Sequence, residues 1–237
     1  MLYLRFLVIS FWFVIAFGIG FVMSLLRWGD NSVDHFTAGL FGRPILRLLG
    51  ITLQVEGKDE LEKHQPCIYV ANHQGALDIL TFGSFFPRRT VVVGKKEIAY
   101  IPVLNLFFVA AGNVLVDRQK RTKAVASLGK AVKAIREKKS SVWVFPEGTR
   151  NRTDEAILPL KKGAFYMAVE AQVPIVPVIS APIRSLVNWE EGRHSRGVLR
   201  IRVLPPIQTR GMNAADVDGL AKQVRSVMIE AVRGLSA

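Results

Sequence analysis

Residues 67–78 read Cys-Ile-Tyr-Val-Ala-Asn-His-Gln-Gly-Ala-Leu-Asp. Residues 67–71 form an apolar run of the length of a short buried strand, and the polar residues after it predict a turn into a helix. His73 and Asp78 lie five positions apart, which would separate them by roughly 140° on one continuous helix. The two side chains can therefore meet only if His73 lies in the turn and Asp78 in the first turns of the following helix. Gly75 permits such a turn.

A histidine in contact with an aspartate has a clear catalytic use. Asp78 would accept a hydrogen bond from one imidazole nitrogen of His73 and leave the other nitrogen free to take a proton. The alternative is a cap or a surface pair without catalytic function. Residues 72–78 alone do not decide between the two interpretations, and other segments of the chain provide further evidence.

From residue 51 onward, short apolar runs alternate with helical patterns. The apolar runs predict strands at residues 51–55, 67–71, 90–93, 114–116, 142–145, 175–179 and 198–204. The helical patterns predict helices at residues 77–86, 101–111, 122–138, 163–172 and 217–231. Strands that alternate with helices predict an α/β fold, in which a central, largely parallel sheet is flanked by helices.

The N-terminal part of the chain predicts a membrane anchor. Residues 6–26 contain no charged residue and are flanked by Arg5 and Arg27. As a helix they would extend roughly 31 Å, about the thickness of a bilayer core. A signal peptide would have a shorter apolar region and a clear cleavage site, so we expect the segment to be retained. It either spans the bilayer or lies in one leaflet.

Residues 34–50 predict an amphipathic helix with two alternative positions. It is either an interfacial helix whose basic residues, Arg43 and Arg47, anchor it at the membrane surface, or an ordinary core helix. Pro44 would kink or break it. The sequence thus predicts an anchor at residues 1–50 and a single catalytic domain at residues 51–237.

The amino-acid composition indicates which kind of partner the chain binds. Lys and Arg outnumber Asp and Glu by 32 to 19, half of the residues are hydrophobic, and the mean hydropathy is +0.26. Basic and apolar character together indicate a membrane with anionic lipids. The chain has no zinc-finger spacing, aromatic RNA-binding signature or heptad repeat, which argues against nucleic acid. Its histidines lack metal-ligand spacing, so neither a metal nor another cofactor is expected, and the single Cys67 fits a reducing compartment.

Two predicted strands end in basic residues, and ligands of open α/β sheets bind at such strand ends. Asp117 and Arg118 follow residues 114–116, and a guanidinium at that place can hold a phosphate with two hydrogen bonds. The alternative is an Asp117–Arg118 pair. Lys96 follows the strand at residues 90–93 and would either add charge to the anion site or lie in a solvated loop.

A third strand end carries Phe-Pro-Glu-Gly-Thr-Arg at residues 145–150. Gly148 lets the backbone turn so that successive amides point the same way, an arrangement that favours anions. Glu147 could hold a hydroxyl group or orient an arginine. The alternative is a plain turn with a Glu147–Arg150 pair.

No protein nucleophile is evident in the sequence. It has no Gly-x-Ser-x-Gly elbow, no histidine paired with a serine or cysteine, no Walker loop and no Rossmann fingerprint. A lone base with an orienting acid suits direct transfer, in which a deprotonated substrate hydroxyl attacks an activated acyl group.

Four blocks of the sequence resemble, in order and spacing, those of the glycerolipid acyltransferases with the His-x4-Asp motif. The blocks are Asn-His-Gln-x3-Asp at residues 72–78, Gly-Asn-Val-Leu-Val-Asp-Arg at 112–118, Phe-Pro-Glu-Gly-Thr-Arg at 145–150 and Val-Pro-Ile-Val-Pro-Val at 173–178. The bacterial 1-acylglycerol-3-phosphate acyltransferases are the most similar subgroup. Gly75 departs from the pattern of the first block, because many relatives carry serine at this position. The departure puts in doubt which contacts hold the turn.

The resemblance implies acyl transfer from acyl-acyl carrier protein or acyl-CoA to the 2-hydroxyl of lysophosphatidic acid, which gives phosphatidic acid. His73 would be the general base and Asp78 its orienting acid. The implied substrate-binding residues are Arg118, Lys96 and Arg150 at the phosphate, and Glu147, Gly148 and Thr149 beside the glycerol backbone. A backbone amide near Gly75 is a candidate donor to the thioester oxyanion.

The resemblance also implies a place for the enzyme, the cytoplasmic side of a bacterial inner membrane. Two alternatives remain from the sequence. One is an acyltransferase that acts on another acceptor, such as glycerol phosphate or a lyso-ornithine lipid. The other is a membrane protein that binds lipid without catalysis.

Overall fold

A computed structural model describes residues 2–117, 121–188 and 191–236. The helices are α1 (Leu2–Leu26), α2 (Ser32–Leu48), α3 (Glu60–Lys63), α4 (Asp78–Gly83), α5 (Pro102–Ala110), α6 (Arg121–Lys138), α7 (Gly163–Ala171) and α8 (Val217–Ser236). The strands are β1 (Ile51–Glu56), β2 (Ile68–Ala71), β3 (Thr90–Lys95), β4 (Val114–Val116), β5 (Ser141–Val144), β6 (Ile175–Ser180), β7 (Val187–Asn188), β8 (Arg193–His194) and β9 (Gly197–Val203). Short 3-10 turns cover Lys96–Tyr100, Ile183–Ser185 and Ala214–Asp216.

Seven strands form one sheet in the order β1-β9-β6-β2-β5-β3-β4. Every neighbouring pair is parallel except β6 and β9, which are antiparallel. The predicted α/β fold with a largely parallel central sheet is therefore confirmed. The central strands β2, β5 and β6 are buried along their whole length, which is why they read as continuous apolar runs.

Helices cover both faces of the sheet, and alternate residues of each strand point to opposite faces. Ile68 and Val70 of β2 pack with α6, α7 and α8. Cys67, Tyr69 and Ala71 pack on the other face with the aromatic residues of α4 and the segment after it. The two apolar layers fix the sheet between them, so the loops at its carboxyl edge extend from a rigid platform.

The two N-terminal helices pack against the rest of the fold. α1 has 25 residues and is long and apolar enough to cross a membrane. α2 buries Ile45 and Leu46 against Ile51 and Leu199, as the core-helix alternative requires. Because a side chain at Gly42 would lie 2.8 Å from the carbonyl oxygen of Leu80, α2 approaches α4 closely only with glycine there.

Pro44 lies inside α2 and does not end it, so of the two predicted effects the break is wrong and the kink stays a prediction. A proline has no N–H to donate to the carbonyl four residues earlier, which here belongs to Leu40. The indole Nε1 of Trp12 on α1 donates to that oxygen at 3.0 Å instead. The hydrogen bond from the neighbouring helix satisfies the carbonyl that proline leaves without its usual donor, and it joins α1 to α2.

Candidate active site

His73 and Asp78 are in contact. His73 lies in the turn after β2, and Asp78 is the first residue of α4. The Nδ1 atom of His73 lies 2.6 Å from Oδ2 of Asp78. The Asp78 side chain is 2% exposed and that of His73 is 20% exposed. The buried carboxylate thus makes Nδ1 the donating nitrogen and leaves Nε2, on a partly exposed ring, as the atom that can take a proton.

Asp78 also holds the turn that carries His73. Its Oδ2 atom accepts hydrogen bonds from the backbone N–H groups of Gln74 at 2.7 Å and Gly75 at 3.0 Å. Both amides thus already donate to the carboxylate. This argues against the predicted role of an amide near Gly75 as donor to the thioester oxyanion. Gly75 has no positive φ, and a Cβ there would meet nothing within 4 Å. The turn does not depend on glycine, so a serine could replace it.

Glu147 binds the main chain of the catalytic turn. It follows β5, is 2% exposed, and its Oε1 accepts from the backbone N–H of His73 at 2.6 Å. Its Oε2 accepts from the backbone N–H of Leu158 at 2.9 Å. Burial raises the pKa of Glu147, and the two N–H donors oppose that rise. Both carboxylate oxygens of Glu147 thus bind backbone N–H groups, which is neither the predicted contact with a hydroxyl or an arginine nor the alternative pair with Arg150.

The loop after β5 contacts His73 at two further points. The ring of Phe145 stacks on the imidazole, with centroids 4.3 Å apart and planes 20° apart. The backbone N–H of Asn151 donates to the carbonyl oxygen of His73 at 2.7 Å. Sequence reasoning missed Phe145, because a strand-end aromatic residue gives no sign of what it stacks on.

Two amide side chains tie the same turn to β6. Asn72 accepts from the N–H of Ser180 and donates to its carbonyl oxygen, both at 2.9 Å, so it extends the ladder between β2 and β6. Gln74 accepts from the N–H of Ile183 at 2.9 Å and donates to the carbonyl oxygen of Ala181 at 3.0 Å. The only sequence signal for these roles was their place in the first motif block.

The predicted cationic residues follow neighbouring parallel strands. Lys96 follows β3, and its Nζ lies 3.1 Å from Oδ1 of Asp117, which follows β4. These side chains are 25% and 15% exposed, respectively. Arg118, expected to hold the phosphate, lies outside the described residues. Because β2, β5, β3 and β4 are mutually parallel, their carboxyl ends lie along one edge that also carries His73.

The remaining predicted residues form the turn after β5. Gly148 has φ +76°, a left-handed conformation that favours glycine, and its N–H donates to the carbonyl oxygen of Phe145 at 3.1 Å. That amide closes the turn. Thr149 and Arg150 are exposed beside it. The edge thus combines a base with an exposed face, an orienting carboxylate and basic side chains, which suits deprotonation of a hydroxyl on an anionic substrate.

Comparison with known proteins agrees with this chemistry. The Acyltransferase family matches residues 52–181. The chain is 37% identical to the 1-acyl-sn-glycerol-3-phosphate acyltransferase of Saccharomyces cerevisiae, over 90% of this chain and 70% of that protein. It is 36% identical to the human 1-acyl-sn-glycerol-3-phosphate acyltransferase alpha, over 80% of this chain and 66% of that protein.

A solved structure has the same architecture. The crystal structure of the 1-acyl-sn-glycerophosphate (LPA) acyltransferase PlsC from Thermotoga maritima superposes with a TM-score of 0.74 at 25% identity, covering 99% of this chain and 98% of that one. The relatives include fungal, mammalian and bacterial proteins, so the narrower bacterial subgroup stays a prediction. Because the family model matches residues 52–181, more than half of the chain, the chain belongs to the acyltransferase family.

Proposed function

We propose that this acyltransferase transfers an acyl group from acyl-acyl carrier protein or acyl-CoA to the 2-hydroxyl of lysophosphatidic acid, which yields phosphatidic acid. The observation that carries the proposal is the 2.6 Å contact between Nδ1 of His73 and Asp78, which leaves Nε2 available on a partly exposed ring. The activities named for the yeast, human and Thermotoga relatives support the choice of acceptor.

In this mechanism Nε2 of His73 takes the proton of the 2-hydroxyl as its oxygen attacks the thioester carbonyl. The buried Asp78 carboxylate stabilises the imidazolium that forms. As the tetrahedral intermediate collapses, the new ester C–O bond remains and the C–S bond breaks. The imidazolium then returns its proton to the leaving sulfur, so the products are phosphatidic acid and a free thiol. No covalent acyl-enzyme intermediate is needed.

Basic residues at the same edge would bind the phosphate of the acceptor. We assign this role to Arg118, supported by Lys96, which Asp117 holds at the end of β3, and by the exposed Arg150. Thr149 and Gly148 would border the glycerol backbone. Glu147 is buried and bound to the backbone N–H of His73, so we assign it to positioning the catalytic turn.

The apolar α1 supports attachment to a membrane, with residues 1–50 as the anchor and residues 51–237 as the catalytic domain. Acceptor and product would then stay in the lipid phase, and anionic lipids would attract the basic chain. We further propose the bacterial subgroup, and with it the cytoplasmic face of an inner membrane, on the resemblance of the sequence motifs.

A thiol-release assay with acyl-CoA tests the proposal. We expect release that requires lysophosphatidic acid and is lost in His73→Ala. Equal release with glycerol 3-phosphate or a lyso-ornithine lipid, and none with lysophosphatidic acid, would reassign the acceptor. Thiol release without any acceptor would indicate a hydrolase. Binding of lysophosphatidic acid without thiol release would remove the catalytic assignment altogether.

A further inference from the structure

An exposed apolar surface lies on α5 and on the turn before it. Its residues, named here the α5 patch, are Tyr100, Ile101, Val103, Leu106 and Val109, with exposed fractions of 75%, 53%, 52%, 38% and 43%. Val103, Leu106 and Val109 are spaced at i, i+3 and i+6, so they share one face of the helix. A continuous apolar surface of this kind on a folded domain indicates an interaction site.

The opposite face of α5 is fixed to the catalytic domain. Phe108 is 8% exposed, and a Cβ added to Gly94 of β3 would lie 2.7 Å from its ring. At the C-terminal end of α5, Ala110 is fully buried, and its carbonyl oxygen accepts from the N–H of Gly29 at 2.6 Å. The orientation of α5 is thus set by the packing of Phe108 and by the hydrogen bond at the end of the helix, and the patch faces outward from a rigid support.

α5 packs directly beside α1. Phe107 of α5 contacts Phe17 of α1, with ring centroids 5.6 Å apart. α1 exposes a stripe of large apolar residues along its length: Leu7, Phe11, Val14 and Val22 are between 54% and 69% exposed. Exposed apolar side chains therefore lie on two helices that pack against each other, although the helices are far apart in the sequence.

The chemistry of the patch and its surroundings fits a lipid surface. Tyr100, the most exposed member, is a residue type that lies at the level of the lipid headgroups. Lys95 and Lys96 precede it. Glu97 and Asp117, which contacts Lys96, offset these two charges locally, while the chain as a whole carries a net charge of +13. A basic protein with an exposed apolar face favours anionic bilayers.

We propose that the α5 patch inserts into the outer part of an anionic lipid leaflet beside α1, as a second membrane contact. The turn Lys96–Tyr100 directly follows β3 and so lies at the sheet edge that carries His73. Insertion holds this edge against the lipid surface, and Lys96 then lies at the level of the phosphates. The inference goes beyond the proposed reaction and rests on the proposed attachment of α1, from which the experiment separates it.

The single cysteine of the chain makes a site-specific test practical. Cys67 is fully buried, and burial raises the pKa of its thiol to about 11, so a cysteine introduced on the surface reacts selectively. Three variants of the full chain, each with one introduced cysteine beside the buried Cys67, carry an environment-sensitive nitrobenzoxadiazole label: Leu106→Cys in the patch, Phe11→Cys on α1 and Val198→Cys as control. Val198 is 55% exposed, and because its neighbour Leu199 packs on α2, its side chain points to the other face of the sheet.

The labelled proteins are mixed with phosphatidylcholine–phosphatidylglycerol vesicles that contain lipid with a nitroxide on the acyl chain. We expect quenching of the labels at positions 106 and 11 and none at 198. A label at 106 that stays unquenched while the label at 11 is quenched overturns the α5 contact and leaves the α1 attachment standing. A blue shift at 106 that needs only higher protein concentration, without quenching by vesicles, assigns the patch to a second copy of the chain and also overturns the proposal.

An activity measurement completes the test. Leu106→Glu is expected to weaken vesicle binding and activity on vesicle-borne lysophosphatidic acid by roughly tenfold, with activity on detergent-dispersed substrate unchanged. Val198→Glu, the matched control, should alter neither. Equal loss on both forms of substrate, with an unchanged thermal midpoint, would contradict a membrane role for Leu106.

Discussion

Glu147 is joined to His73 through the main chain, since its carboxylate accepts the backbone N–H of His73 at 2.6 Å. The contact connects the loop after β5 with the turn after β2, and 74 positions separate the two residues. The carboxylate therefore sets where the base lies without touching its imidazole ring. A residue with such a contact should affect turnover more than substrate affinity.

Glu147→Gln is expected to lower kcat with little change in the KM for lysophosphatidic acid. The substitution turns one acceptor oxygen into a donor that faces a backbone N–H, at a cost of about 1–3 kcal/mol in the free energy of unfolding. Steady-state kinetics and thermal unfolding measure the two effects. Glu137→Gln, on an exposed part of α6, is the control and should leave both unchanged. A raised KM with unchanged kcat and stability would place Glu147 on the substrate instead.

His73→Ala should reduce kcat by about 10²–10⁴-fold, because a positioned general base contributes about that factor. Vesicle binding should be unaffected. His64→Ala is a suitable control, since His64 bonds to Glu60 on α3 and takes no part in the dyad. Turnover of the His73 variant at the wild-type rate would refute the assignment.

Arg118→Ala should raise the KM for lysophosphatidic acid about tenfold or more, because a guanidinium that binds phosphate contributes chiefly to affinity. The KM for acyl-CoA should change little. An unchanged KM for the acceptor would remove Arg118 from the phosphate site.

Lys96→Met should also raise the KM for the acceptor, by about tenfold, since it removes a positive charge held at the strand end by Asp117. Its neighbour offers a matched control, because Lys95 carries the same charge but has an exposed side chain. Similar kinetics for Lys96→Met and Lys95→Met would mean that general surface charge, and not a specific site, attracts the phosphate.

Asp34 gives a pH-dependent stability. Burial raises the pKa of this carboxyl to about 8, while a hydrogen bond from Asn113 opposes the rise. Between pH 4 and 8 the folded protein therefore holds a proton that the unfolded chain has released, so stability falls as pH rises through this range and levels off above it. The asparagine of Asp34→Asn cannot ionise, so this variant lacks the pH dependence that Asp34 gives.

The thermal midpoint of Asp34→Asn relative to wild type should thus increase steadily from pH 5 to pH 8. Asp30→Asn is the control, because the Ser32 N–H holds the pKa of Asp30 below its usual range and no such trend is expected between pH 5 and 8. A constant difference between Asp34→Asn and wild type across this range would show that Asp34 ionises normally in the folded protein.

Trp12→Phe should destabilise the packing of α1 on α2 by about 1–2 kcal/mol, because the carbonyl of Leu40 then loses its donor. Pro44→Ala restores a backbone N–H for that carbonyl. The double variant should therefore lose less stability than the sum of the two single variants, as measured in a double-mutant cycle by thermal unfolding. Strictly additive effects would show that the indole contributes only by packing.

The strands of the sheet were largely predictable because each is a local pattern. All seven strands predicted from apolar runs occur in the sheet, since strands buried on both faces must be apolar throughout. The hairpin of β7 and β8 and the short α3 were missed, as such short, largely polar segments carry no period. The helix predicted at residues 77–86 is shorter, with α4 ending at Gly83, because apolar residues after it serve the core outside a helix.

Local pattern also sufficed to predict the contact between His73 and Asp78, because the two residues are close in sequence and the turn between them leaves one way to meet. It could not reveal that Glu147 binds the backbone of His73, that Lys96 meets Asp117, or that α5 packs against α1. Those contacts depend on which strands are neighbours and which helix packs on which face. The periodicity of a segment indicates which of its sides is buried. Which residues pack against that side is decided only when the strands and helices assemble.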